Sequence, residues 1–501
     1  MTEDAAETRD LAGALRALLP ALEEHLAAPA TGAEFGHAAS WRAVLDEPLP
    51  RQGRGAEETL RRLADPVVRH GQRLTAPGFL GWITTGPTVV PAVAGLATAF
   101  AGTQRYLGHT GNFLEELALT WLAEACGLQG PPPMQGVFSS SGSVANLLAL
   151  GAARQHAYER LGHDPARDGL AGLPRGRVYS TVELHHSLIK AAGVLGLGRA
   201  DVVVLPVDDA QRVDVRAVAD VVAADVSAGH VPVAVVGVAG TTNTGAVDDL
   251  AALADVAAEH GTWFHVDGAY GLFGRLDPRV ADRFAGLERA DSAIVDPHKW
   301  LATPSGIAAT FVRDRELLAR AFTGGAADYI EGGFDTEWTG SAYDAMGLPY
   351  HDWSLDLTAA ARGVVVWAAL HELGLDGLRE RIVRDHDLAR HVADLVRADP
   401  RLELLTEPEL SICCFRYVRE GLDEPGLDAL NQQILRRLHA DSPYVPSFTR
   451  VGGRYALRPC FINPRTTTSD AEELVTWVLR LGDRLAGGPT GLGMRADVTA
   501  T

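Results

Sequence analysis

Two rhythms of apolar residues organise the chain. From about residue 76 to 315, short apolar runs alternate with longer stretches in which apolar residues recur every three or four positions. GVFSSS (136–141), RADVVVLPV, VPVAVVGVA (231–239), TWFHVD (262–267), ADSAIVD (290–296) and GIAATFVRD read as strands. GSVANLLALGAARQHAYERL and VDDLAALADVAAEHG read as helices between them. Strands alternating with helices predict an α/β domain with a mostly parallel central sheet. Ligands of such a sheet sit at the carboxyl ends of its strands.

The flanks differ. Residues 8–27 carry a helical period with Pro20 inside, and 57–74 read as a second helix after a Pro- and Gly-rich stretch. A long helix is predicted over 356–374, with more to about 397. Beyond it LSICCFRYV (410–418), a helix near 425–439, YALRPCFI (455–462) and a helix at 469–485 predict a small α+β module. The expected division is an N-terminal helical segment (1–75), a large domain (76–385), a small C-terminal α+β domain (386–486) and a disordered tail (487–501).

Composition narrows the function classes. The chain has 501 residues, 47% hydrophobic and 22% charged, as in ordinary globular proteins. Its formal net charge of −19 argues against nucleic acid or an anionic membrane as partner. The opening MTEDAAETRDLAG is acidic and polar, without the pattern of a signal peptide, and no run of about eighteen apolar residues occurs. The four cysteines lack metal-ligand spacing, and Cys413 and Cys414 are adjacent. A cytoplasmic protein with reduced thiols and no metal is expected.

Four stretches fall where strands give way to loops. SSSGSVAN (139–146) leads from strand to helix, where free N–H groups and hydroxyls can bind phosphate. It could equally be a Ser-rich helix cap. Asp267 ends the strand in HVDGAY and could be a turn residue. The His pair in ELHHSLIKAAG (183–193) could be catalytic or packing, and GTTNTGAVDD (240–249) could be only a turn.

Lysine usage separates one residue from the rest. Of 45 basic residues, only Lys190 and Lys299 are lysine. Arginine cannot lose its proton at usable pH, whereas a desolvated lysine can become a neutral amine and attack a carbonyl. Lys190 falls mid-helix without convergent partners. Lys299, in VDPHKW after an apolar strand, points to imine chemistry. A phosphate loop, an Asp at a strand end, a His and a Lys in this order describe a pyridoxal 5'-phosphate (PLP) site.

The blocks SSSGSVANLLALGAAR, HHSLIKAAGVLG, GTTNTGAVDDL, WFHVDGAYG and ADSAIVDPHKWL resemble the group II PLP-dependent amino-acid decarboxylases, in the family's order, over roughly residues 60–485. The resemblance implies PLP fold type I and a homodimer with the active site at the interface and the N-terminal segment packed on the partner subunit. It implies that Lys299 binds PLP as a Schiff base and Asp267 pairs with the ring nitrogen. His185 stacks on the ring and Ala269 lies on its other face. Gly142 and Ser143 hold the phosphate with Ser292 and His298, and Thr242 supports the cofactor. Tyr350, in YHDWSLDLTAAARGVVVW, matches the loop tyrosine that protonates the substrate carbon, with Tyr343 and Tyr329 as rivals. Trp82, Thr85, Arg105 and Tyr106 match pocket-lining regions.

The sequence departs from the family's pattern at Val144, Ala76 and Gly268, where relatives carry an acidic residue, His and Ala. These departures bear on substrate more than on cofactor. The implied activity is decarboxylation of an L-amino acid, aromatic or bulky apolar by Trp82 and Tyr106, to an amine and carbon dioxide. An aldehyde-forming or carbon–carbon lyase reaction on the same fold, and a non-catalytic member, are the alternatives.

Overall fold

The computed structural model describes residues 10–30, 38–101, 110–324 and 350–487. The 488–501 part of the tail expected to be disordered lies outside them. The first strand, β1 (Phe79–Leu80), joins a sheet built mainly from the C-terminal part of the chain. Seven strands follow in a second, larger sheet: β2 (Gln135–Ser139), β3 (Gly176–Thr181), β4 (Val202–Leu205), β5 (Val231–Val238), β6 (Trp263–Asp267), β7 (Ser292–Val295) and β8 (Ala308–Val312). Their order is β2-β8-β7-β6-β5-β3-β4. β8 runs antiparallel to β2 and β7; the other pairings are parallel. The fold is thus α/β with a mostly parallel sheet, as the alternating pattern predicts.

Burial explains why β5, β6 and β7 are apolar almost throughout. Every residue of β6 and β7 is buried, with helices covering the sheet. The helix Gly142–Glu159 packs across β5 to β8. Its Ala145 and Ala149 meet Ile294 and Ala308, and such small side chains let the helix backbone lie close to the strands. The carboxyl ends of β2, β3, β5, β6 and β7 therefore open onto one edge, beside the start of that helix.

The small sheet has order β1-β11-β12-β10-β9, with β9 (Leu402–Thr406), β10 (Cys414–Tyr417), β11 (Val445–Val451) and β12 (Arg454–Arg458). β11 and β12 form a hairpin whose turn, Gly452-Gly453, has φ of 56° and 81°, the left-handed pair that suits a two-residue connection. The expected boundaries shift. Residues 79–80 pair with β11, and the boundary at 385/386 falls within the helix Arg362–Ala398, which is broken only at Gly374 (φ 64°). All four cysteines are buried and free. Among the described residues, no helix is long and apolar enough to cross a membrane.

Candidate active site

The carboxyl edge of the large sheet encloses a cavity of about 240 Å³. Gly142, Ser143, His185, Thr242, Asp267, Ala269, His298 and Lys299 all line it. Residues spread over 158 positions of sequence are brought together because each follows a strand end or opens a helix at that edge.

Lys299 is presented by a tight turn after β7. Asp296 N–H donates to the Ala269 carbonyl (3.0 Å) and Lys299 N–H donates to the Asp296 carbonyl (2.9 Å). Lys299 Nζ then lies 3.0 Å from Asp296 Oδ2. The next residue, Trp300, is fully buried, stacks on Tyr270, and donates from its indole N–H to Asp385 (2.8 Å). Burial pushes that Asp385 carboxyl up to about 6. This anchoring leaves little freedom at the backbone of Lys299.

Asp267 ends β6 and is buried. Asn146 donates to its Oδ2 (3.0 Å) and the Ala269 N–H donates to its Oδ1 (3.2 Å). The His185 side chain is exposed at the cavity, and partial desolvation pulls its imidazole below the ordinary value, opposed by the nearby Asp267 charge. Its Nδ1 meets Ser187 Oγ at 2.8 Å. His298 donates from Nδ1 to the Ile307 carbonyl, and its Nε2 sits 3.8 Å from Asp296 Oδ2.

These groups fit pyridoxal phosphate. The helix Gly142–Glu159 starts at the cavity, capped by Ser141 Oγ, which accepts from Val144 N–H (3.3 Å). Its first-turn N–H groups have no partner within the helix and carry the positive end of its dipole, which suits a phosphate. A Cβ on Gly142 would lie 2.7 Å from Asp296 Oδ2, so only glycine allows this approach. The lysine amine and the Asp267 carboxylate complete a site for an aldehyde and a basic ring nitrogen.

Four predicted residues, Ser292, Tyr350, Thr85 and Trp82, do not line this cavity. Ser292 opens β7, away from its carboxyl end, and does not line the cavity; it is fully buried, with its hydroxyl on Trp263 (2.7 Å) and His265 (2.8 Å). A phosphate contact is excluded there. Tyr350 is also buried, stacks edge-on against Trp353, and lines a different cavity with Arg315 and Glu116. Its rivals Tyr329 and Tyr343, and the pocket candidates Arg105 and Tyr106, lie outside the described residues. Thr85 is buried and does not line the cavity.

Trp82 does not line the cavity either, yet it is tied to it. Arg458, only 3% exposed, donates to the carbonyls of Trp82 (2.6 Å), Asn243 (3.1 Å) and Thr242. One guanidinium from the small domain thus joins the Trp82 turn to the Thr242 loop of the cavity. The Trp82 side chain is 59% exposed and its φ is 50°, a strained value for a large residue. Gly268, unusual for the resemblance, leaves room for Leu272, whose Cγ a Cβ would meet at 2.1 Å. Sequence reasoning missed Asn146, Asp296 and Arg458. Asp296 and Asn146 stood inside quoted motifs; Arg458 had no local signal, since its partners are hundreds of positions away.

Comparison with known proteins agrees with this geometry. A family model described as the pyridoxal-dependent decarboxylase conserved domain matches residues 111–418. The chain is 28% identical over 449 residues to an aromatic-L-amino-acid decarboxylase of Bacillus atrophaeus, covering 89% of each. It is 30% identical over 422 residues to tryptophan decarboxylase 1 of Oryza sativa subsp. japonica, covering 80% of this chain and 79% of that one. The crystal structure of Oryza sativa TDC with PLP and tryptamine matches with a TM-score of 0.85 at 26% identity, covering 97% and 99% of the two chains.

Proposed function

Because the chain belongs to the pyridoxal-dependent decarboxylase family, a family of PLP-dependent carboxy-lyases of fold type I, we propose that it decarboxylates an aromatic or bulky apolar L-amino acid to the amine and carbon dioxide. The observation that carries the cofactor chemistry is the convergence of Lys299, Asp267 and the Gly142 helix start on one cavity. The substrate class is supported by the aromatic substrates named for two relatives and by Trp82, an exposed ring whose backbone carbonyl is tied through Arg458 to the Thr242 loop.

When bound, pyridoxal phosphate supplies an electron sink for the pair left on the substrate carbon as carbon dioxide departs. Lys299 would bind its aldehyde through Nζ. Asp267, an acceptor held by Asn146 and Ala269, would keep the ring nitrogen protonated. His185 and Ala269 would cover the ring, and the first-turn N–H groups of Gly142 and Ser143 would hold the phosphate, with His298 and Thr242 alongside. Tyr350, with Tyr343 and Tyr329 as rivals, is the proposed donor of the proton to the substrate carbon.

The same reading includes a cytoplasmic homodimer. Leu11, Leu15, Leu19, Leu22 and Leu26 are exposed on the helix Leu11–Ala27, and Val89, Val93, Leu96 and Phe100 are exposed on Val89–Ala101. Such apolar faces suit a second copy. Light scattering at twice the chain mass supports this; a stable monomer with PLP-dependent activity refutes it.

The test of activity is incubation of the holoenzyme with all common L-amino acids, followed by mass spectrometry. An aromatic amine with equimolar carbon dioxide is expected. An aldehyde with ammonia would support the aldehyde-forming alternative, and an amine from an acidic or small substrate would overturn the substrate class.

A further inference from the structure

Five buried polar side chains run in a line from the interior of the sheet to the cavity. Trp263 Nε1 donates to Ser292 Oγ (2.7 Å), and Ser292 Oγ meets His265 Nδ1 (2.8 Å). His265 Nε2 meets Asn146 Oδ1 (2.9 Å), and Asn146 Nδ2 donates to Asp267 Oδ2 (3.0 Å). A branch leaves the same amide: Asn146 Nδ2 also donates to Ser187 Oγ (2.9 Å), which meets His185 Nδ1 (2.8 Å).

The sense of each bond can be worked out from fixed ends. The Ser187 backbone N–H donates to His185 Nδ1 (3.3 Å), so Nδ1 is bare and the Ser187 hydroxyl must also donate to it. Ser187 Oγ then accepts from Asn146, which must present its NH2 there. That NH2 also donates to Asp267 Oδ2. Asn146 Oδ1 therefore faces His265, whose Nε2 must carry a proton. The imidazole is neutral, since burial pulls it down to about 4, so its Nδ1 accepts from the Ser292 hydroxyl. Ser292 in turn accepts from Trp263, which can only donate. Both ends demand the same orientation of one amide.

We infer that Asn146 is the positioning residue of this site: its two N–H groups hold Asp267 as an acceptor and, through Ser187, fix His185 in the tautomer that carries its proton on Nε2. His265, backed by Ser292 and Trp263, keeps the amide from flipping. Aligned donors in a buried chain reinforce one another, and all of these point towards the Asp267 carboxylate. The role of Ser292 is thus to act on Asp267 from behind the sheet. The inference rests on the proposed cofactor only for what Asp267 faces; the bond senses belong to the apoprotein.

The test is ¹⁵N NMR of histidine-labelled apoprotein near pH 7, with His185→Gln and His265→Gln used for assignment. His185 and His265 should both be neutral with the proton on Nε2. Asn146→Leu should release His185 into a mixture of tautomers and weaken PLP binding by on the order of tenfold, the loss of one hydrogen bond to a charged group. His265→Gln, which keeps a donor towards Asn146, should retain the His185 tautomer, and His265→Leu should not. A wild-type His185 protonated on Nδ1 overturns the inference even if no variant folds. So does an Asn146→Leu protein with an unchanged tautomer and unchanged PLP affinity. Correct tautomers without any PLP capture would instead refute the cofactor reading.

Discussion

Lys299 Nζ and Asp296 Oδ2 form an ion pair at 3.0 Å, across three residues of one turn. The carboxylate is buried at 2% exposure, and its other oxygen has no hydrogen-bond partner among the described residues. The pair holds Nζ against Asp296, and an amine so engaged is a poor nucleophile towards an aldehyde. Asp296→Asn removes the counter-charge and should raise the rate of PLP capture by the apoprotein at neutral pH several-fold. Stopped-flow absorbance measures this directly. An unchanged or slower rate would show that Asp296 does not restrain the amine.

Gly142 tests the phosphate cradle. In Gly142→Ala the new Cβ meets Asp296 Oδ2 at 2.7 Å and Oδ1 at 2.9 Å, so the helix start and the carboxylate must move apart. PLP affinity should fall on the order of tenfold, about 1.4 kcal/mol, with little change in the apoprotein's unfolding midpoint. Titration of apoprotein by fluorescence gives the affinity; full retention of affinity would place the phosphate elsewhere.

His265 gives the pH test. Burial pulls its imidazole to about 4, against an opposing pull from Asp267, while the unfolded chain titrates near 6.5. Between these values the unfolded chain binds the extra proton. Its contribution to stability is therefore full above 6.5 and is lost as pH falls towards 4, by up to about 1.4 kcal/mol per pH unit. Asp248 and Asp385, pushed up to about 6 by burial, act in the opposite sense as pH falls from about 6 towards 3.8. The informative quantity is thus the difference between the wild type and His265→Gln. In urea unfolding the wild type's advantage should shrink from about pH 7.5 to about pH 5; a constant difference would mean that His265 does not titrate in that window.

Tyrosine variants separate packing from chemistry. Tyr350→Ala removes a fully buried ring packed on Trp353 and should cost about 3–5 kcal/mol of stability. Tyr350→Phe keeps that packing and removes only the hydroxyl, and it should lose most amine formation in a protein as stable as the wild type. Full amine formation in Tyr350→Phe, with its loss in Tyr343→Phe or Tyr329→Phe, would move the proton-donor role to that rival.

Much of the fold was legible because burial writes itself locally. β5 and β6 are continuous apolar runs since both faces of the sheet are covered, and Asp267 and Lys299 follow strand ends that such runs mark. β1, β3, β9 and β11 were missed; β11 is an alternating strand of the small sheet, half-buried, with polar residues interrupting the run. Ser292 misled because a residue beside a motif shares its neighbourhood in sequence, but a strand carries it several residues away from its own carboxyl end. Arg458 was invisible because its three carbonyl partners come from Trp82, Thr242 and Asn243.

The central claim is that Lys299 captures pyridoxal phosphate in this cavity. Reduction of the holoenzyme with borohydride, digestion and peptide mass spectrometry test it most directly. A phosphopyridoxyl group on the VDPHKW peptide at Lys299, absent from Lys299→Ala, is the predicted result; a label on Lys190, or labelling that survives in Lys299→Ala, would contradict it.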